Sequence, residues 1–170
     1  MTDEPELGGE RVTLRPIREA DRTTLRAILA DPEVRRWWGP EDLDASVADL
    51  YDDDAHGYAI LAGGAIVGYV QYAEENEPDY RHAGIDIFLG PPGRGRGFGP
   101  DAIRTLARYL FEERGHHRLT IDPAAANERA IGAYEQVGFR RVGVMRDYER
   151  GQDGRFHDGL LMDMLRGELT

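Results

Sequence analysis

Ile87-Phe88-Leu89-Gly90-Pro91-Pro92-Gly93-Arg94-Gly95-Arg96-Gly97-Phe98-Gly99-Pro100 joins one apolar segment to another through a turn built of glycine, proline and arginine. Upstream, Ala83 to Leu89 reads as a strand. Downstream, from about Pro100 to Arg114, Ile103, Leu106, Ala107, Leu110 and Phe111 recur at helical spacing. Pro100 suits the first helical position, where a missing N–H costs nothing. A strand, glycines, then a helix make a place for a phosphate. The helix N-terminus offers unpaired N–H donors and a partial positive charge. Glycines let the anion approach without a Cβ in the way. Arg94 and Arg96 add forked cationic donors. The alternative is a tight structural turn with no ligand.

Two common phosphate motifs are excluded. Gly93, Gly95, Gly97 and Gly99 are spaced two apart, so no Gly-x-Gly-x-x-Gly of a dinucleotide fold can be read among them. All 21 basic residues are arginine, which removes the Walker lysine and any Schiff-base chemistry with pyridoxal phosphate.

Outward from the turn, the chain alternates element types. Arg11 to Ile17 alternates as a first strand, and Glu19 to Ala30 carries Leu25, Ile28 and Leu29 at helical spacing. A short segment with Trp37-Trp38-Gly39 precedes a helix from about Glu41 to Tyr51. Tyr58 to Ala62 and Ala65 to Tyr72 flank Gly63-Gly64, a hairpin signal. After Ala83 to Leu89 and the long helix come a strand at Arg118 to Ile121 and a helix at Asn127 to Val137, stopped by Gly138. Strands at Phe139 to Tyr148 and Phe156 to Leu165 follow, joined by the turn at Gly151 to Gly154. This order gives an α/β chain with a mixed sheet, read as a single domain over residues 1–170.

A chain of 170 residues is long enough to bury a real core. No apolar run approaches the roughly 20 residues needed to cross a bilayer, and Met1 to Glu6 is too acidic for a signal peptide. There is no cysteine, hence no disulfide, thiolate nucleophile or Cys-bound zinc. The expected address is the cytoplasm. A net charge of -11 argues against nucleic acid and suits a cationic ligand. His56, His82, His116, His117 and His157 show no metal spacing, so no metal is expected. The adjacent His116 and His117 are read as cations at a helix C-terminus.

Arg94-x-x-Gly97-x-Gly99 resembles the Gln/Arg-x-x-Gly-x-Gly/Ala coenzyme A signature of the GNAT N-acetyltransferases. Asn127-Glu128-Arg129-Ala130-Ile131-Gly132-Ala133-Tyr134-Glu135-Gln136-Val137-Gly138-Phe139 is similar to their second signature, Asn-x-x-Ala-x-x-x-Tyr-x-x-x-Gly-Phe. The resemblance runs from Arg11 to Leu165. Within the superfamily it is nearest the aminoglycoside 6'-N-acetyltransferases, through Val12-Thr13-Leu14-Arg15, Trp37-Trp38-Gly39, Gly68-Tyr69-Val70-Gln71-Tyr72, Gly84-Ile85-Asp86 and Thr120-Ile121-Asp122-Pro123. The acidic loop from Glu74 to Asp79 and the stretch beyond Gly143 depart from this nearer pattern.

The resemblance implies a mixed, mostly antiparallel sheet flanked by helices and acetyl-CoA as co-substrate. Cofactor contacts are expected from Ile87, Phe88 and Leu89, where main-chain N–H groups would meet an oxyanion as that strand splays from its neighbour. Arg94, Gly95, Arg96, Gly97, Phe98, Gly99 and Asn127 complete that set. Asn127 is also a plain N-cap residue.

Asp86 lies on an otherwise apolar strand and must face a cleft or a partner. By resemblance it binds the reacting amine and accepts its proton. Asp122 would contact substrate ammonium groups, though it also reads as an Asp-Pro turn. Tyr134 would protonate the leaving sulfur, or simply pack on the sheet. Trp38, Tyr72, Glu74 and Glu75 are candidates for the substrate wall, and Asp49, Asp52, Asp53 and Asp54 for its rim. The implied partner is a cationic small-molecule amine, with the protein a monomer or homodimer. The alternatives are another amine acceptor, or an acyl-CoA sensor without turnover.

Overall fold

The computed structural model describes residues 3–39 and 42–170. Glu41, expected to open a helix, lies outside them. The elements are β1 (Leu7–Gly8), β2 (Thr13–Pro16), α1 (Arg22–Leu29), α2 (Pro32–Trp37), α3 (Leu43–Leu50), β3 (His56–Ala62), β4 (Ala65–Glu75) and β5 (His82–Leu89). There follow α4 (Phe98–Glu112), β6 (Arg118–Ile121), α5 (Glu128–Val137), β7 (Arg140–Arg150) and β8 (Phe156–Leu165). Eight strands form one sheet in the order β1-β2-β3-β4-β5-β6-β8-β7. Every pairing is antiparallel except β5 with β6.

The sheet is apolar on both faces, and each face carries its own core. On one, Ala102, Ile103, Leu106 and Leu110 of α4 and Ile131 of α5 pack on Val70, Ile85 and Leu119. On the other, Leu25, Leu29, Val34, Val47 and Leu50 from α1, α2 and α3 cover Tyr69 and Phe88. Strand alternation therefore decides which side chains can share a site. Tyr69 and Gln71 of β4 stand opposite Phe88 and Asp86 of β5, all toward the α1–α3 side.

Two boundaries differ from expectation. The Trp37-Trp38 segment contains a helix, capped by Asp31, whose carboxylate accepts from the N–H groups of Glu33 (3.0 Å) and Val34 (3.3 Å). The long helix begins at Phe98, so Pro100 is its third residue and not its first. Its N–H would still lack an intrahelical partner there, which is why proline is tolerated.

Two buried carboxylates tie the chain's beginning to this frame. Asp101, in the first turn of α4, accepts from the N–H groups of Arg11 (2.7 Å) and Val12 (3.0 Å). Glu4 accepts from the hydroxyls of Tyr58 (2.8 Å), Tyr72 (2.8 Å) and Tyr109 (3.1 Å) and bonds His56 Nδ1 at 2.9 Å.

Candidate active site

β5 and β6 pair only at Ala83 with Leu119 and Gly84 with Thr120. Beyond Gly84 the two strands separate, leaving one edge of Ile85 to Leu89 without a strand partner. Alternate N–H groups of an unpaired edge face the opening. Two concavities meet at this split.

The first is a trench of about 350 Å³. It is lined by Ile87, Phe88 and Leu89 of β5, by Arg94, Gly95, Gly97, Phe98 and Gly99 of the turn, by Ile103 of α4, and by Asn127, Ala130, Ala133 and Tyr134 around α5. Gly95 (φ 71°) and Gly97 (φ 76°) hold the left-handed backbone that curls the turn around the N-terminus of α4. A Cβ on Gly97 would stand 3.5 Å from the Arg11 side chain. Glycine amides at a helix start, beside an apolar groove, fit a pyrophosphate followed by a long uncharged arm.

The arginines divide their duties differently from expectation. Arg94 Nη2 pairs with Asp31 at 2.7 Å, tying the turn to α2. The Arg96 guanidinium lies 5.0 Å over the Phe98 ring and outside the trench lining. Arg129, which sequence reading passed over, lines the trench and comes within 3.9 Å of the Cβ position of Gly95. Asn127 caps α5 by accepting from Ala130 N–H at 3.2 Å, while its NH₂ keeps its donors.

The second concavity is a cleft of about 600 Å³, lined by Gln71, Asp86, Asp122, Tyr148 and Glu149, with Trp37, Trp38, Ile87, Asn127 and Tyr134 shared between cleft and trench. Three carboxylates converge and no cationic side chain is among the lining residues. Asp86 opens to solvent through the cleft while lying deep in it. Burial raises its pKa and the charge of Asp122 adds to that, against the lowering effect of the Gln71 hydrogen bond. Gln71 relays this contact: it accepts from Tyr69 Oη at 2.8 Å and donates to Asp86 Oδ2 at 3.3 Å. Burial, then the charges of Asp86 and Asp122, push the Tyr134 phenol upward, so it keeps its proton at neutral pH. Tyr148 donates its hydroxyl to Asp122. Trp38 meets Phe88 edge-on at 4.8 Å.

Several expected wall residues lie elsewhere. Tyr72 is on the opposite face of β4 from Gln71, buried against Glu4 and stacked on His56 at 4.5 Å. The Glu74 carboxylate is buried among Arg114, His116 and Arg81. Glu75 caps a turn by accepting from Glu77 N–H, and Asp49, Asp52, Asp53 and Asp54 lie outside the cleft lining. His116 is no helix-end cation. It is fully buried with Nε2 on Glu74 at 2.7 Å, and burial lowers its pKa despite that carboxylate.

Residues 11–140 match the family model "Acetyltransferase (GNAT) domain". The chain belongs to the GNAT acetyltransferase family. Its reaction is therefore acetyl transfer to an amine. An aminoglycoside N(6')-acetyltransferase type 1 from Klebsiella pneumoniae is 29% identical over 157 residues, covering 80% of this chain and 77% of the relative. A spermidine N(1)-acetyltransferase from Vibrio cholerae is 24% identical, covering 93% and 95%. The solved structure of AAC(6')-Ib with paromomycin and acetyl-CoA superposes with a TM-score of 0.75 at 28% identity, covering 92% of this chain and 94% of that one. Among the described residues, no group of three or more His, Asp or Glu could hold a metal ion, and no helix is long and apolar enough to cross a membrane.

Proposed function

We propose that this enzyme transfers the acetyl group of acetyl-CoA to the 6'-amino group of an aminoglycoside within a ternary complex. The observation that carries this reading is the cleft itself. Asp86, Asp122 and Glu149 face one space with Trp37 and Trp38, and none of its lining side chains is cationic. A sugar bearing several ammonium groups pairs with such carboxylates and lays its rings on indole faces. The aminoglycoside-modifying relative supports the same acceptor.

Bound acetyl-CoA supplies the activated acetyl group and the thiolate leaving group. The turn amides and Arg129 hold the pyrophosphate end, and the Asn127 NH₂ donates to the pantetheine arm. Asp86, with its raised pKa, takes the ammonium proton directly or through one water, leaving the neutral amine to attack. Unpaired N–H groups along Ile87 to Leu89 donate to the carbonyl oxygen as it gains charge. Tyr134 then gives its phenolic proton to the departing sulfur. Asp122, held by Tyr148, pairs with a further ammonium group.

The spermidine-acetylating relative favours a second reading, acetylation of a polyamine. The carboxylates suit both acceptors, but a slender chain uses the indole faces less. Coenzyme A release, followed by thiol detection, is expected with kanamycin or tobramycin above spermidine and absent with histone-like peptides. Release with peptides alone would overturn the reading. Asp86→Asn should cut turnover at least about 100-fold while leaving acetyl-CoA affinity nearly unchanged. An unchanged rate would remove Asp86 from the chemistry.

A further inference from the structure

Neighbouring side chains of a regular strand point to opposite faces, yet Tyr148 and Glu149 both line the acceptor-side cleft. A bulge is the cause. Met145 pairs with Gly159 and Glu149 with His157, so β7 spends two more residues than β8 over this interval. Within it, Asp147 adopts φ 48°, the left-handed region that Asp tolerates better than most residues, and its N–H donates to Asp158 Oδ1 at 3.0 Å.

The bulge delivers Glu149 to the junction of two cavities. Beyond it, a space of about 790 Å³ opens between α2 and the β7–β8 turn, sharing Trp37, Ala124 and Glu149 with the cleft. Phe156, 59% exposed, offers an aromatic face there. This outer space is lined by Arg36, held over the Trp37 ring, and Arg150 as well as by Glu149, Asp153 and Asp158; Asp153 is engaged by His157 at 2.9 Å and Asp158 by the Asp147 N–H. Among the described residues, no cation pairs with Glu149. Burial and the charges of Asp122 and Asp86 raise its pKa, the mark of a carboxylate held without a counter-ion.

We propose that Glu149 receives a second cationic nitrogen of the acceptor, whose remainder extends into the outer cavity beside Phe156. The enzyme thereby prefers elongated acceptors with at least two ammonium groups over monoamines. This rests on the reading of the cleft as the acceptor site and adds a specificity-determining residue to it. The two cavities together exceed what one sugar ring fills, since pockets of about 300–1,000 Å³ take whole drug-sized ligands.

The test is calorimetric binding of kanamycin and of 6-amino-6-deoxyglucose, with coenzyme A present, to the wild-type protein and Glu149→Gln at two salt concentrations. The wild type should prefer kanamycin. The substitution should shrink that preference about tenfold or more, the order expected for one charge-assisted contact, and flatten its salt dependence. Glu149→Asp should recover part of the preference. Because Glu149 is unpaired among like charges, the melting temperature of Glu149→Gln should not fall, which separates a lost contact from a lost fold. A preference unchanged by Glu149→Gln overturns this inference while leaving the aminoglycoside reading standing. No binding of either amine to the wild type overturns both.

Discussion

Gly159→Ala should damage catalysis through Tyr148, a residue on the neighbouring strand. A Cβ at position 159 would stand 2.7 Å from Tyr148 Cδ2 and 3.3 Å from both Tyr148 Cγ and Met145 Cε. Carbon atoms pack at about 3.5–4.0 Å, so the ring must lift by about 1 Å and carry its hydroxyl away from Asp122. That hydroxyl, its pKa pushed up to about 12 by the Asp122 hydrogen bond and then by burial, is a donor throughout the neutral range. A hydrogen bond to a charged group is worth about 1.5–3 kcal/mol when buried. Tyr148 is 46% exposed, which discounts the figure to about 1 kcal/mol, or about fivefold in kcat/KM. The assay is a double-mutant cycle with Tyr148→Phe, using kanamycin as acceptor. Each single variant should lose about fivefold, and the double variant should be no worse than either. Additive losses, or a silent Gly159→Ala, would refute the link from Gly159 through Tyr148 to Asp122. Overpacking should also cost about 1–3 kcal/mol of stability, read by thermal melting.

Two further perturbations test other parts of the frame. Gly97→Val forces a β-branched residue to φ 76° at the cap of α4. Coenzyme A affinity should fall by at least about 100-fold with the circular dichroism spectrum retained, and full binding would remove the turn from the site. Glu4→Gln tests the tyrosine cluster. Burial disfavours the Glu4 charge, but hydrogen bonds from Tyr72, Tyr58, Tyr109 and His56 outweigh it and hold its pKa below the usual 4.5. A depressed carboxylate stabilises the fold above its unfolded pKa, and that stabilisation is lost as pH falls through the folded one. Glu4→Gln should therefore be less stable by about 1–3 kcal/mol at pH 7, with the gap to wild type in urea denaturation closing as pH falls through the depressed folded pKa of Glu4. A difference that persists in acid would refute the role of the charge.

Elements with strong periodicity were legible in the sequence. The α4 stripe, the Gly63-Gly64 hairpin and the strand–turn–helix at Arg94 to Gly99 each depend on local chemistry, and local chemistry is written residue by residue. That Asp86 faces a cleft was legible for the same reason, since a lone acid on an apolar strand needs an outlet. Trp38 does line the cleft, but Tyr72 failed as a wall residue because the answer depended on pairing register. Whether Gln71 or Tyr72 faces Asp86 follows from which residue of β4 lies opposite it, and the sequence of one strand does not state its partner's register. Glu149 was hidden more deeply, because a bulge at a non-glycine residue overrides the alternation by which strands are read. Arg129 escaped notice as the unremarked third residue of a signature prized for its asparagine and tyrosine.

The tyrosine cluster around Glu4 also has a history in time. Ribosomal synthesis delivers Glu4 well before its hydroxyl partners, which arrive 54, 68 and 105 residues later. Contacts across such separations form late, because the intervening loop must close before they repay the lost entropy. The segment ahead of β1 should thus lock only once α4 has left the ribosome.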